Sequence, residues 1–172
     1  QKPPHSSSTS KVRRLLEEVY GSKYYGREHC PIVASRFSMP EPDVAYVRGG
    51  PEDYYERHPT REDTIVIVEV VKTTLRDARL KVPIYAKAGF DPYWLVDVQR
   101  GCVEVYTKPL PNGTYGDCRI LGRDDELKLP GKRATLRVRD LHDAFGVPGN
   151  RGGLPHVMKE LIAIRDAARR AP

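Results

Sequence analysis

The sequence has few cysteines and no long apolar run, and each shortage excludes a class of protein. Cys30, Cys102 and Cys118 form an odd set without a C-x-x-C pair, which argues against a disulfide framework and a zinc site. The longest apolar runs lie on either side of Glu69 and are too short to cross a bilayer. Residues 1–10 lack the apolar segment of a signal peptide. We therefore expect free thiols in the cytoplasm and no membrane partner.

Signatures of nucleotide-binding and zinc-binding folds are also missing. No glycine-rich loop joins an expected strand to an expected helix, so neither a P-loop nor a dinucleotide-binding fold is supported. Zinc-finger and helix-turn-helix patterns do not occur. The histidines show no metal-ligand spacing: His5, His29, His58, His142 and His156. The carboxylates are therefore the better candidates for a functional site.

Basic residues outnumber acidic ones in this chain. It has 29 Lys and Arg against 23 Asp and Glu, a formal net charge of +6 and a pI near 9.3. A basic balance favours a polyanionic partner such as nucleic acid, although the many acidic residues make charge alone a weak indication. The length of 172 residues suits one domain with a buried core.

Hydrophobic periodicity predicts an α/β protein. The segment 64–71, TIVIVEVV, is typical of a central strand that is covered on both faces. Further strands are expected at 31–37, 43–47, 93–97, 103–106, 114–121 and 134–138, and helices at 11–20, 75–89, 139–145 and 155–170. Pro83 lies inside the helix expected at 75–89, so that helix either starts late or is kinked. The order predicts a single domain over 1–172, with a mixed central β-sheet flanked by helices and an amphipathic helix near its C-terminal end.

One residue does not fit its strand. Glu69 lies between Val68 and Val70 in the apolar segment, where an unpaired charge is unfavourable. Asp43 opens the strand expected at 43–47, and two carboxylates on neighbouring strands can bind one Mg²⁺ ion. Two other interpretations stay open: Glu69 meets a structural Arg or Lys, and Asp43 only belongs to a turn.

Lys81 is the candidate cation beside these carboxylates. Asp77 and Lys81 are four residues apart on the expected helix, a spacing that also suits an ordinary surface ion pair. Lys81 borders the apolar stripe of that helix, so its ammonium can reach the end of the strand that carries Glu69.

Four short motifs together resemble a known family. They are PDV at 42–44, VEV at 68–70, D-x-x-x-K-x-P-x-Y-x-x-x-G at 77–89 and YWLVD at 93–97. Their combined spacing is similar to that of the Uma-type putative restriction endonucleases of the PD-(D/E)XK nuclease superfamily. The resemblance runs from about His5 to Tyr106, and more loosely to the C-terminus. The resemblance implies a restriction-endonuclease-like fold, an Mg²⁺ (or Mn²⁺) cofactor and hydrolysis of DNA phosphodiester bonds.

The resemblance also implies roles for individual residues. Asp43 and Glu69 are expected to bind the metal, together with the Val70 carbonyl. Tyr85 is expected to support these ligands without touching the metal.

The catalytic lysine is expected on the helix and not on the strand. The superfamily pattern places a lysine two residues after the acid, where this chain has Val71. Lys72 lies at an odd offset from the acid and therefore points to the opposite face of the strand, unless a bulge intervenes. The resemblance places Lys81, on the helix, as the catalytic lysine, and Asp77, one turn earlier, is predicted to position it.

Two other functions fit the same residues. A catalytically silent module that binds nucleic acid or protein would have the same fold, and loss of Mg²⁺ binding in Asp43→Ala distinguishes it from an enzyme. The carboxylates would also suit another phosphodiesterase or a nucleotide hydrolase, which a panel of DNA, RNA and nucleotide substrates separates. Cleavage of both strands of a duplex needs two active sites, so we expect a homodimer.

Overall fold

The structure is a computed structural model that describes residues 3–71 and 75–143. The helices are α1 (Pro3–Tyr20), α2 (Leu75–Arg79), α3 (Val82–Lys87) and α4 (Val138–Asp143), with a 3₁₀ helix at Pro51–Tyr54. The strands are β1 (Tyr24–Glu28), β2 (Val44–Arg48), β3 (Thr64–Val71), β4 (Tyr93–Asp97), β5 (Cys102–Pro109), β6 (Tyr115–Leu121), β7 (Glu126–Lys128) and β8 (Thr135–Arg137). Within these described ranges, no helix combines the length and the apolar character needed to cross a membrane.

Six strands form one mixed sheet in the order β1-β2-β3-β4-β5-β6. The neighbours β3 and β4 are parallel, and the other neighbouring pairs are antiparallel. A parallel pair needs a long crossover connection, which here contains α2 and α3. Strands β7 and β8 form a separate antiparallel pair. The predicted mixed α/β architecture is confirmed.

The sheet separates two apolar cores. Helix α1 covers one face through residues such as Leu16, and α3 covers the other through Tyr85. Strand β3 lies between the cores, and every residue after Thr64 is buried, as expected for a central strand. Because side chains alternate along a strand, Glu69 lies on the α3 face together with Ile67.

Most of the predicted strands are confirmed, and two have the predicted bounds. Strands β3 and β4 coincide with the segments predicted at 64–71 and 93–97. Strands β2, β5, β6 and β8 correspond to the other predictions with ends shifted by a few residues. Helix α1 corresponds to the helix predicted at 11–20 but begins eight residues earlier, at Pro3, and α4 corresponds to the helix predicted at 139–145 as far as Asp143. Residues 144–145 and the helix predicted at 155–170 lie outside the described residues.

The strand predicted at 31–37 is wrong. The amides of Ile32 and Val33 donate hydrogen bonds to the carbonyls of Pro40 and Pro59, which lie in loops. The segment therefore forms one limb of a hairpin outside the sheet. The Ile32 side chain is nevertheless buried in the core on the α3 face.

Strand β1 is absent from the sequence predictions because its pattern is weak. It contains Gly26, and glycine inside a strand lowers the strand propensity. In the structure α1 passes close to this point, so that a Cβ atom at Gly26 would lie 2.6 Å from Cγ of Arg13. The glycine thus permits a close approach between helix and strand, which only the tertiary structure reveals.

Candidate active site

The register of β2 and β3 brings Asp43 and Glu69 together. Val44 pairs with Val68 across these antiparallel strands. Asp43 immediately precedes Val44 and Glu69 immediately follows Val68, so both carboxylates lie at the same end of the strand pair. The Val70 amide donates a hydrogen bond to Oδ2 of Asp43 at 2.8 Å, which holds the Asp43 side chain against β3.

Both carboxylates are almost removed from solvent. Asp43 is 9% exposed and Glu69 is 4% exposed. Burial raises the pKa of Glu69, the Lys81 ammonium opposes this rise, and the Asp43 carboxylate adds to it. Two acids held this closely repel each other when ionised, so the arrangement favours a nearby positive charge.

Lys81 and Tyr85 both contact the same oxygen of Glu69. Nζ of Lys81 lies 2.8 Å from Oε1 of Glu69, and the Tyr85 hydroxyl donates to that oxygen at 2.9 Å. Burial raises the pKa of Tyr85, and Glu69 raises it further, so the hydroxyl stays protonated and remains a donor. The structure therefore brings Asp43, Glu69, Lys81 and Tyr85 into one cluster.

A break in the helix predicted at 75–89 positions Lys81. Helices α2 and α3 are separate, and Lys81 is the N-cap residue of α3. Pro83 lies in the first turn of α3, where the backbone N–H that proline lacks would have no partner within the helix. The amides of Ile84 and Tyr85 donate to the Lys81 carbonyl. Lys81 and Tyr85 are thus one turn apart and reach the same carboxylate.

Asp77 does not hold Lys81 in the way that the sequence predicts. Its side chain is exposed, and among the described residues Lys81 forms its ion pair with Glu69 and not with Asp77. The helix break explains the difference, because Lys81 follows α2 and does not continue it for a further turn. Lys72, the other candidate lysine, lies outside the described residues.

His29 lies beside this cluster, and its sequence context does not reveal it. Nδ1 of His29 is 3.5 Å from Oδ1 of Asp43. The His29 amide donates to the carbonyls of Pro42 and Asp43, and its φ of 48° is unusual for a residue with a side chain. The pairing of β1 with β2 brings His29 to this position. Because β1 is not predicted, spacing alone could not have found it.

The donor set of this site fits a hard divalent cation such as Mg²⁺, which prefers oxygen ligands and retains several waters. Both hydrogen bonds that described residues donate to Glu69 are accepted by Oε1, so Oε2 is the oxygen of Glu69 that could face a cation. Within residues 3–71 and 75–143, no group of three or more His, Cys, Asp or Glu side chains could hold a metal ion. A cation here would therefore rely on two carboxylates, with backbone oxygen and water completing its coordination.

A second buried carboxylate lies on the same face of the sheet. Leu95 pairs with Glu69 on one side and with Glu104 on the other. Glu104 is 3% exposed; Nε of Arg79 donates to it at 3.2 Å, and the Tyr106 hydroxyl donates at 2.5 Å. Burial works against ionisation, but Arg79 and Tyr106 outweigh it and lower the pKa of Glu104. This network, which the sequence does not predict, ties α2 to β5.

Comparison with protein families decides the assignment of the chain. A model of the family Uma2, described as "Putative restriction endonuclease", matches residues 1–138, which is most of the chain. The chain belongs to the Uma2 family. The resemblance predicted from the four motifs is confirmed, and the match continues well beyond Tyr106. No curated protein matches this Uma2 chain.

A solved structure shares the fold of this Uma2 chain. It is the crystal structure of a putative nuclease belonging to DUF820 from Anabaena variabilis ATCC 29413. The two chains superpose with a TM-score of 0.67 at 14% sequence identity, over 84% of this chain and 83% of the other. At this identity the likeness concerns the fold, and it confirms the predicted restriction-endonuclease-like class. Membership of the Uma2 family supports a nuclease-like function, whereas the roles of individual site residues stay predictions.

Proposed function

We propose that this chain is a metal-dependent endonuclease that hydrolyses phosphodiester bonds in DNA. One observation carries the proposal: two buried carboxylates from adjacent strands, Asp43 and Glu69, lie side by side with the Lys81 ammonium 2.8 Å from one of them. Lys81 compensates one of the two buried carboxylates, and ionisable groups clustered in this way are more frequent at functional sites than elsewhere. Membership of a family described as restriction endonucleases supports the same reaction.

The proposed metal ligands are Asp43, Glu69 and the Val70 carbonyl, and the proposed ion is Mg²⁺ or Mn²⁺. When bound, the ion would polarise a phosphoryl oxygen and lower the pKa of a bound water. The protein contributes a rigid frame, because the Val70 amide fixes Asp43 and the Tyr85 hydroxyl fixes Glu69.

Lys81 is the proposed catalytic lysine. Its ammonium is at the site already, held by Glu69 at the start of α3. From this position it can donate a hydrogen bond to the attacking water or to a phosphoryl oxygen, and so stabilise the negative charge that develops during hydrolysis. Tyr85, one turn later, keeps Glu69 oriented while Lys81 changes partner.

Plasmid cleavage tests this proposal. We expect the wild-type protein to nick or linearise supercoiled DNA with Mg²⁺ or Mn²⁺, to stop when EDTA is added, and to act weakly on RNA and free nucleotides. Asp43→Asn and Glu69→Gln should abolish cleavage, whereas Asp77→Asn, an exposed carboxylate on α2, should retain it. Metal-independent cleavage, or equal activity in Glu69→Gln, would contradict the proposal.

The Lys81–Glu69 ion pair favours a second candidate, a catalytically silent module on the same fold. The pair already compensates the buried Glu69 charge, so the site can persist without a cation. Calorimetry with Mg²⁺ and Mn²⁺ separates the two candidates. Binding that disappears in Asp43→Ala supports the enzyme, and no heat with either ion supports the silent module.

A further inference from the structure

The loop before Asp43 forms a hairpin with an exposed apolar tip. Residues 29–43 make up this hairpin, which we call the Asp43 hairpin. At its tip Phe37 is 85% exposed and Met39 is 57% exposed. These two exposed apolar side chains lie close together in sequence, in a segment that leads directly to Asp43.

The Asp43 hairpin is anchored along its length. At its base the His29 amide donates to the carbonyls of Pro42 and Asp43, and further along the Ile32 amide donates to Pro40 at 3.1 Å. Ile32 itself is fully buried. The Val33 amide ties the hairpin to the loop before β3. These contacts hold the hairpin in a fixed position relative to Asp43.

The tip itself is closed by a tight turn. The amides of Ala34 and Ser35 both donate to the Ser38 carbonyl, and the Ser38 amide donates back to Ser35. The Phe37 amide donates to Oγ of Ser35 at 3.2 Å. The phenyl ring is therefore presented to solvent on a pre-organised turn, so a ligand meets it with little loss of backbone entropy.

The chemistry of the tip suits nucleic acid. The Arg36 guanidinium lies 4.6 Å from the centre of the Phe37 ring, so a cation and an aromatic surface are offered together. Single-stranded and distorted nucleic acids are bound by this combination, in which the ring stacks on a base and the cation meets the phosphates. A purely apolar protein partner would gain nothing from the adjacent arginine.

The distance from the site is also suitable. Phe37 precedes Asp43 by six residues, so their Cα atoms lie no more than about 20 Å apart even in a fully extended chain. The major groove of a duplex is about 12 Å wide. This bound on the separation is of the same order as the width of a duplex groove, so one DNA molecule can contact both the tip and the Asp43–Glu69 site.

We propose that the tip of the Asp43 hairpin binds DNA bases next to the phosphate that is cleaved, with Phe37 stacking on a base and Arg36 contacting the backbone. The proposal rests on the proposed nuclease function, since it assigns the tip to the same DNA. It adds a contact that positions the substrate and takes no part in the chemistry.

The test compares DNA binding by variants in a Glu69→Gln background, which keeps the DNA intact. Fluorescence anisotropy with a labelled duplex carrying a single-stranded overhang gives the affinity. Phe37→Ala should weaken binding about tenfold, which corresponds to about 1.4 kcal/mol and lies within the range for a base stacked on an aromatic ring. Phe37→Tyr should bind normally, and so should Tyr55→Ala, which removes an 82% exposed aromatic outside the hairpin.

The outcomes separate this proposal from the proposed function. If the parent protein binds DNA and Phe37→Ala binds equally well, the tip proposal is overturned while the nuclease function stands. If the wild-type protein binds DNA but never cleaves it, a tenfold effect of Phe37→Ala still supports the tip and the catalytic function fails. If the protein binds no DNA at all, both fail, and a protein partner for the tip becomes the better explanation.

Discussion

At the scale of single residues, Glu69 combines an unfavourable location with several favourable contacts. Its strand is apolar and buried, which raises the pKa of the carboxyl. Lys81 and Tyr85 offset this by donating to Oε1, and Lys81 supplies the compensating charge. Glu69 thus has an ion-pair partner on Oε1, and the proposed cation would share this carboxylate with Lys81. This arrangement leads to measurable predictions.

Metal binding should stabilise the fold. A ligand that binds only the folded state at about ten times its Kd adds about 1.4 kcal/mol, which corresponds to about 3–6 °C in Tm for a chain of this size. We expect Mg²⁺ and Mn²⁺ to raise the Tm of the wild-type protein in differential scanning fluorimetry. Asp43→Asn should lose the rise and Asp77→Asn should keep it. An unchanged Tm of the wild-type protein across millimolar concentrations of both ions would exclude the site.

Replacement of Lys81 should separate catalysis from metal binding. Lys81→Ala removes a donor for the developing charge, so cleavage should fall by about 100-fold or more. The carboxylates remain, so the heat of Mg²⁺ binding should persist in calorimetry. Lys87→Ala, an exposed lysine on the same helix, serves as the control.

Lys72→Ala should at most weaken DNA binding. A Lys72→Ala protein that binds DNA but cannot cleave it would assign catalysis to that lysine instead.

Residue chemistry predicts some members of the site and not others. Glu69 stands out because a charge in an apolar strand needs an explanation that local structure does not give. Lys81 comes from the resemblance of the motif at 77–89 to the family, and the odd offset of Lys72 from Glu69 argues against that alternative. His29 and Glu104 have no such signal, because each is brought to the α3 face by a strand pairing that only the folded chain specifies.

At the scale of elements, the connection between β3 and β4 determines where Lys81 lies. Pro83 separates α2 from α3, and the Arg79–Glu104 ion pair ties α2 to β5. Glu104 is nearly buried, so loss of its partner leaves a carboxylate without its counter-charge. Anchoring of α2 therefore supports the segment that ends at Lys81.

Arg79→Gln should destabilise the fold at neutral pH. We expect a loss of about 1–3 kcal/mol in urea denaturation, in the lower part of that range because Arg79 is half exposed. The folded-state pKa of Glu104 is lowered, so its contribution is present above the ordinary value of 4.5 and is lost as the pH falls. The difference from wild type should shrink below about pH 4.5. Arg76→Gln, an exposed neighbour, should change little, and equal effects of the two variants would contradict a specific anchor.

Sequence patterns predict some elements of the fold correctly and others not. Strands β3 and β4 are predictable because nearly continuous apolar residues indicate strands that are buried on both faces. The segment 31–37 has a shorter apolar run at 32–34 but lies in the Asp43 hairpin, since its amides bond to loop carbonyls. Periodicity reports burial and not hydrogen-bond partners, so it cannot separate a strand from an anchored loop limb.

At the scale of the whole molecule, the proposed function sets one proposed active site against a substrate with two strands. A site that contains one Asp43–Glu69 pair would cut one phosphodiester bond at a time. Cleavage of both strands at one position therefore favours two copies related by a two-fold axis. The apolar residues of the helix predicted at 155–170, Val157, Leu161, Ile162 and Ile164, are the sequence's candidates for such an interface, and they lie outside the described residues.

We expect light scattering at tens of micromolar to report twice the chain mass of 19.5 kDa. A double substitution, Leu161→Glu with Ile162→Glu, should convert this dimer to a monomer by placing charges in the apolar contact. The monomer should still nick supercoiled plasmid through its intact Asp43–Glu69 site, but its yield of linear product should fall, because nicks on opposite strands would then arise independently. A wild-type protein that is monomeric throughout this range would contradict the dimer. A double variant that keeps its mass but melts at a lower temperature would show that the helix packs on its own domain.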